Sequence, residues 1–184
     1  IYGSDHVVIA NNTVNATPTS WGADGIRLRN GADHALILNN SVYTTGYDND
    51  EAIEIYISAN TTLRNNHLNT TKSQGITING NSIATNTHDI DNSNYVDGKP
   101  IYINMSVNDT TILEGDYTDV YGQVICLRCD NVTYQDLILN RDGLSLFHTS
   151  NSTIRNVTIN NTAGSNLRLL RSEKNSLSNI TIYN

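Results

Sequence analysis

Proline is nearly absent from this chain, with two residues in 184. Proline breaks backbone hydrogen-bond ladders, so its scarcity leaves room for long ones. Cysteine is equally scarce: Cys126 and Cys129 form one C-x-x-C pair. One such pair is neither a disulfide framework nor the four ligands of tetrahedral zinc. Met105 is the sole methionine, which excludes a methionine-rich soft-metal motif. Charge is low, at 16%, and short of cations: 11 Lys and Arg against 18 Asp and Glu give a net charge of −7. Without a basic footprint, neither nucleic acid nor anionic lipid is an expected partner. No apolar run is long enough to cross a bilayer, so no membrane insertion is expected. Polysaccharide, metal cations or a water-exposed surface layer fit this balance, and no cofactor is expected.

What the chain does have is a regular repeat of apolar residues. One unit reads apolar-x-x-(Asn or apolar)-x-apolar and starts at Ile9, Ile37, Leu63, Ile83, Ile112, Tyr134, Ile154 and Leu177. In the first four copies its fourth position is Asn12, Asn40, Asn66 and Asn86. A second unit reads apolar-x-apolar, with the pairs Ile26/Leu28, Ile53/Ile55, Ile76/Ile78, Ile101/Ile103, Val124/Cys126, Leu144/Leu146 and Leu167/Leu169. The two alternate along the whole chain, and successive copies lie 20 to 29 residues apart.

Alternation over three to five residues is a strand signal. Strands that short are not stable alone, so each must pair with its copy in the next coil, about 4.8 Å away. The expected fold is all-β, a right-handed parallel β-helix of about eight rungs, as one domain over residues 1–184. The hand follows from the general rule for parallel crossovers. The aligned asparagines would stack at a bend, where side-chain amides can bond along the axis and Asn tolerates a left-handed backbone.

Asn-x-Ser/Thr sequons begin at Asn11, Asn15, Asn39, Asn60, Asn69, Asn104, Asn108, Asn131, Asn151, Asn156, Asn160 and Asn179. They make the chain a glycoprotein candidate and point to export, although a chain this rich in Asn, Ser and Thr also generates sequons by chance. An extracellular or cell-surface location is the expectation. Residue 1 already lies inside the repeat, so a mature product or a segment of a larger chain is expected.

The coils reading NSTIRNVTINNTAGSNLRLL (residues 151–170), NYVDGKPIYI (94–103) and GQVICLRCDNVTYQDLILN (122–140) resemble the NosD-like, or periplasmic copper-binding type, right-handed β-helix repeats. The resemblance covers nearly the whole chain. It implies the β-helix fold and a setting like that of large secreted and surface proteins of archaea, especially methanogens. It is specific for fold and carries no activity. Pectate lyases and other polysaccharide enzymes share the fold, by analogy only.

Candidate sites are few. Cys126 falls on an inward position and Cys129 on the following turn. They are soft copper ligands, two small buried hydrophobes or one local disulfide. His6 and His34 occupy matching positions on adjacent rungs and could share a metal or simply stack; His67, His88 and His148 do not match that register. Asp48, Asp50 and Glu51, in YDNDEAIE, could face a hard cation such as calcium or form a solvated acidic turn. Arg27 and Glu54 should form an exposed ion pair between neighbouring rungs. No third acid stacks on them, and nothing in the sequence gives positive evidence for catalysis.

Outward positions of the second unit suggest an exposed apolar face at Tyr102, Ile125, Leu127, Phe147 and Leu170, which would be an interface. The chain also begins and stops in mid-pattern, where bare strand edges would recruit other strands. The leading expectation is a non-enzymatic structural protein of a surface layer, sheath or filament. It would self-associate through its ends and that face. The alternatives are a carbohydrate-binding or polysaccharide-cleaving β-helix, using Tyr43, Tyr47, Tyr56, Asp48, Asp50 and Glu54, and a copper-handling module.

Overall fold

A computed structural model describes residues 1–17, 24–45, 51–71, 74–114, 120–140, 142–160 and 167–183. The chain packs as two compact units, Ile1–Ile101 and Tyr102–Asn184. Among the described residues, nearly all regular structure is short β-strand paired in parallel, as a β-helix requires.

In the first unit a rung has three sides. Tyr2, β1 (Val8–Ala10) and β2 (Thr13–Ala16) form the first rung. The second rung holds β3 (Ile26–Arg29), β4 (Leu36–Leu38) and β5 (Ser41–Thr44). The third holds β6 (Glu51–Tyr56), β7 (Thr62–Arg64) and β8 (His67–Thr70). The fourth holds β9 (Gln74–Asn79), β10 (Asp89–Ile90) and β11 (Tyr95–Val96). Each side is a parallel ladder: β3-β6-β9, β1-β4-β7-β10 and β2-β5-β8-β11. Paired residues are 23 to 28 apart in sequence. The apolar pairs of the repeat fill the interior: Leu28, Ile53, Ile55, Ile76 and Ile78 are buried, as are Ile37, Leu63, Val42 and Leu68.

The fourth rung departs from the expected register. Ile83 does not continue the Ile37–Leu63 column; Ile90 does, and Ile83 is 62% exposed. Residues 81–87 form an inserted turn around a 3-10 segment at Ala84–Asn86, closed on the Thr85 hydroxyl. The corner that follows holds one extra residue, so Asn94, four places after Ile90, takes the amide position three places after Leu63. A fixed spacing of three selects the wrong segment.

The chain then turns back. Asp97 and Gly98 both have positive φ (49° and 79°), and Tyr95 and Val96 pair antiparallel with Pro100 and Lys99 at the start of β12 (Lys99–Met105). Asp-Gly between extended segments is the signal for a two-residue hairpin.

In the second unit a rung has two strands. They are the rest of β12 with β13 (Asn108–Glu114), β14 (Gln123–Leu127) with β15 (Asp130–Leu139), β16 (Leu144–Phe147) with β17 (Thr153–Asn160), and β18 (Leu167–Leu170) with β19 (Ser176–Tyr183). Pairs here are 20 to 23 residues apart. Among the described residues, four stacked rungs can be followed in each unit. Val124, Cys126, Tyr134, Leu137, Leu146, Ile154, Val157 and Ile159 form the buried core.

Both units turn their corners with left-handed residues stacked in columns. In the first these are His6/His34/Asn60 and Asn11/Asn39/Asn65. In the second they are Ser106/Arg128/His148/Arg171, Asp109/Asn131/Asn151/Lys174 and Asp136/Asn156/Asn179. Their φ values lie between 49° and 59°. Asn and Asp dominate because they tolerate this conformation best.

Candidate functional site

Many polar side chains of the first unit bond to the neighbouring rung, through its backbone or its side chains. At the corner between β1 and β2, Asn12, Asn40, Asn66 and Asn94 stack as expected, with Asn94 in place of Asn86. Each Nδ2 donates to the next Oδ1, at 3.1, 3.0 and 2.9 Å. Each of those Oδ1 atoms also accepts the backbone N–H of the preceding asparagine, at 3.1, 3.1 and 3.2 Å. The second N–H of Asn40, Asn66 and Asn94 goes back to the carbonyls of Ile9, Ile37 and Leu63. Asn40, Asn66 and Asn94 are fully buried, and this pairing is what makes that burial tolerable.

Arg27 and Glu54 pair between rungs through Nε and Oε2. The pair is not the exposed one expected: Glu54 is 5% exposed. Its Oε1 accepts from Asn79 Nδ2 at 3.0 Å, while Arg27 also meets Asp24 Oδ2 at 3.1 Å. The sequence shows alternation along EAIEIY, but the four central residues of β6 are buried on both faces.

The same double burial removes the expected apolar surface. Ile125, Leu127 and Phe147 are at most 1% exposed, and Leu170 is half-buried. QVICL and LSLF carry near-continuous apolar runs, the mark of a strand covered on both faces. Tyr102 is not outward at all. It packs against the inner core, half-buried. The alternation expected for Ile101 and Ile103 did not allow for the reversal at Asp97–Gly98.

Cys126 and Cys129 are joined as a disulfide, with Cα atoms 6.1 Å apart and both residues buried. Of the alternatives for this pair, the structure shows the local disulfide, which in this form offers no thiolate ligand. Asp48, Asp50 and Tyr47 lie outside the described residues. Glu51 opens β6, half-buried, and its N–H bonds to Asp24 Oδ1 at 3.1 Å.

His6 and His34 stack, with ring centroids 4.8 Å apart and planes 13° from parallel. Sequence reading missed their partner, Asp5. Its carboxylate lies 3.0 Å from His34 Nδ1 and 3.1 Å from His6 Nδ1. Asn60 Nδ2 faces His34 Nε2 at 3.2 Å. With that amide donating, the His34 proton sits on Nδ1 and goes to Asp5. This hydrogen bond is the main reason the Asp5 carboxyl lies below the usual carboxylate range. His88 lies outside that column, as expected: Asp89 pairs with Thr62, and His88 Nδ1 is 3.4 Å from Thr61 N. His67 stacks instead on Tyr95.

The sequons fall into a pattern that follows from the corners. Asn11, Asn39, Asn60, Asn131, Asn151, Asn156 and Asn179 all have left-handed φ. Asn suits the bend and Ser or Thr suits the strand that follows, so the repeat itself writes Asn-x-Ser/Thr. Asn11, Asn69 and Asn108 are exposed, Asn160 bonds to Asn140, and Asn104 has a buried Nδ2 that solvent does not reach.

Among the described residues, no helix is long and apolar enough to cross a membrane. Comparison with protein-family models, curated proteins and solved structures finds no match.

Proposed function

We propose that this chain is a structural β-helix of an extracytoplasmic, cell-surface protein, built to bear and extend an assembly rather than to catalyse. The observation that carries this reading is the use of its polar columns. The amide ladder, the Arg27–Glu54 pair and the Asp33 carboxylate on Ala59 N–H all tie one rung to the next. A buried disulfide fits an oxidising compartment. The resemblance to NosD-like repeats, and to the archaeal surface proteins that carry them, belongs to the same proposal, as does glycan on the exposed sequons.

Self-association is proposed through a strand edge, since the lateral apolar face is not exposed. In β19, Leu177 and Ile182 occupy the inner columns of Ile154 and Ile159 yet are 43% and 44% exposed. Another parallel strand, from a second copy or from more of the same polypeptide, would complete these columns. Light scattering of Ile182→Lys beside the unchanged chain tests this. Loss of large species with an unchanged β-sheet spectrum supports it; equal assembly of both chains sinks it.

Glycan binding is the second reading. Tyr43 is 41% exposed on the outer face of β5, in one column with the exposed amides of Asn15 and Asn69. An aromatic face beside amides suits a sugar ring. Retention on neutral-glycan columns, lost in Tyr43→Ala, would favour it. The other contacts expected for it, Tyr56 and Glu54, are engaged with Arg29 and Arg27.

A further inference from the structure

We propose that Asp5, His6 and His34 form a surface site for a divalent transition-metal cation of the zinc class, with Asn60 holding the second ring nitrogen of His34. Two imidazoles and one carboxylate are the donor set such cations take, with water filling the remaining positions. The potential ligand atoms of the three residues lie within 4.8 Å of one another. Neighbouring ligands on a cation at about 2.1 Å stand about 3.0 to 3.4 Å apart. The Asp5 oxygens already stand 3.0 and 3.1 Å from the two Nδ1 atoms. The hydrogens between them occupy the place a cation would take.

The site is held by backbone, not by loop side chains. His6 N–H bonds to Asp33 O at 2.9 Å and His34 N–H to Ala59 O at 3.0 Å, so both histidines are fixed in the rung ladder. Asp5 is tied to the same corner by His6 N–H at 2.9 Å. One adjustment is required, because two parallel rings cannot both aim a lone pair at one ion. His6, with a side chain 74% exposed, tilts out of the stack, and the backbone stays in place. The cation takes the place of the Nδ1–H bonds to Asp5. The His34 proton moves from Nδ1 to Nε2, and the Asn60 side chain turns its oxygen to accept it. Such outer partners orient metal-bound histidines.

Calorimetric titration of the untagged chain with zinc chloride at neutral pH tests the proposal. The expected result is one saturable site per chain, with binding that weakens in acid because protons compete for the ring nitrogens. His6→Asn, His34→Asn and Asp5→Asn should each abolish it. Asn is the right replacement because Asn60 holds the same left-handed corner one rung on. Asn60→Ala should weaken binding about tenfold, and His67→Asn should leave it unchanged. No saturable uptake by the unchanged chain overturns the proposal, as does uptake that survives loss of His34. Should a variant unfold, the histidine ring NMR signals of the unchanged chain decide. Zinc must move those of His6 and His34 together and leave that of His67; any other pattern overturns the site.

Discussion

Asn66 makes four side-chain hydrogen bonds at a position closed to water. Replacing it with Ala strands a donor pair on Asn40 and an acceptor on Ile37. Leaving buried groups unsatisfied costs about 1–3 kcal/mol each, less where neighbours relax. Asn66→Ala should therefore lose about 3 kcal/mol in urea unfolding, while Asn12→Ala, at the exposed top of the ladder, should lose about 1 kcal/mol. Ionisable residues set the pH range. Asp5 is held low chiefly by its His34 bond, and Asp130 by Ser150 and then Asn151. His148 is held low by burial and then by Arg171. A depressed folded value means the unfolded chain binds more protons, so stability is lost as pH falls. The His148 contribution starts to fade below about 6.5 and the Asp contributions below about 3.8. Tyr134 is raised by burial, so its contribution is full below pH 10.0 and is lost as pH climbs past it. Thermal midpoints from pH 3 to 11 should form a dome falling on both sides. A midpoint that rises into acid would contradict these assignments.

At the scale of strands and corners, much of the architecture was legible. The strands announce themselves by alternation and the corners by Asn, because the interior needs one face apolar and the bend needs a left-handed residue. Three features were not. Ile83, Asn86 and His88 mimic the repeat, but residues 81–87 form an insert, and a one-residue lengthening of the next corner hides the true copy at Ile90–Val96. Strands such as β14 and β16 bury both faces, so an outward-pointing residue is not an exposed one. Asp97–Gly98 carried the hairpin signal, but within a run of parallel coils its reversal was not expected. Gly98 has φ of 79° and open space where a Cβ would stand. Gly98→Ala should thus cost only backbone strain, about 1–2 kcal/mol, measurable as a lower urea midpoint. The disulfide is a similar local matter. Four residues close a small loop, and chain entropy gives about 2 kcal/mol. The Cys126→Ala/Cys129→Ala chain should fold with a midpoint lowered accordingly.

At the scale of the molecule, both units follow one plan: apolar residues point inward, and amides stack at the corners from rung to rung. Of the candidate site, the histidine column and the Arg27–Glu54 pair were legible, because matched rung positions predict contact. Asp5 was not, since it neighbours the column rather than belonging to it. The structural role rests on whether such units join. Electron microscopy of protein purified without denaturant tests that most directly. The account predicts filaments or sheets in which rungs repeat about every 4.8 Å through the contacts between copies. Discrete particles that stay separate at high concentration would contradict it.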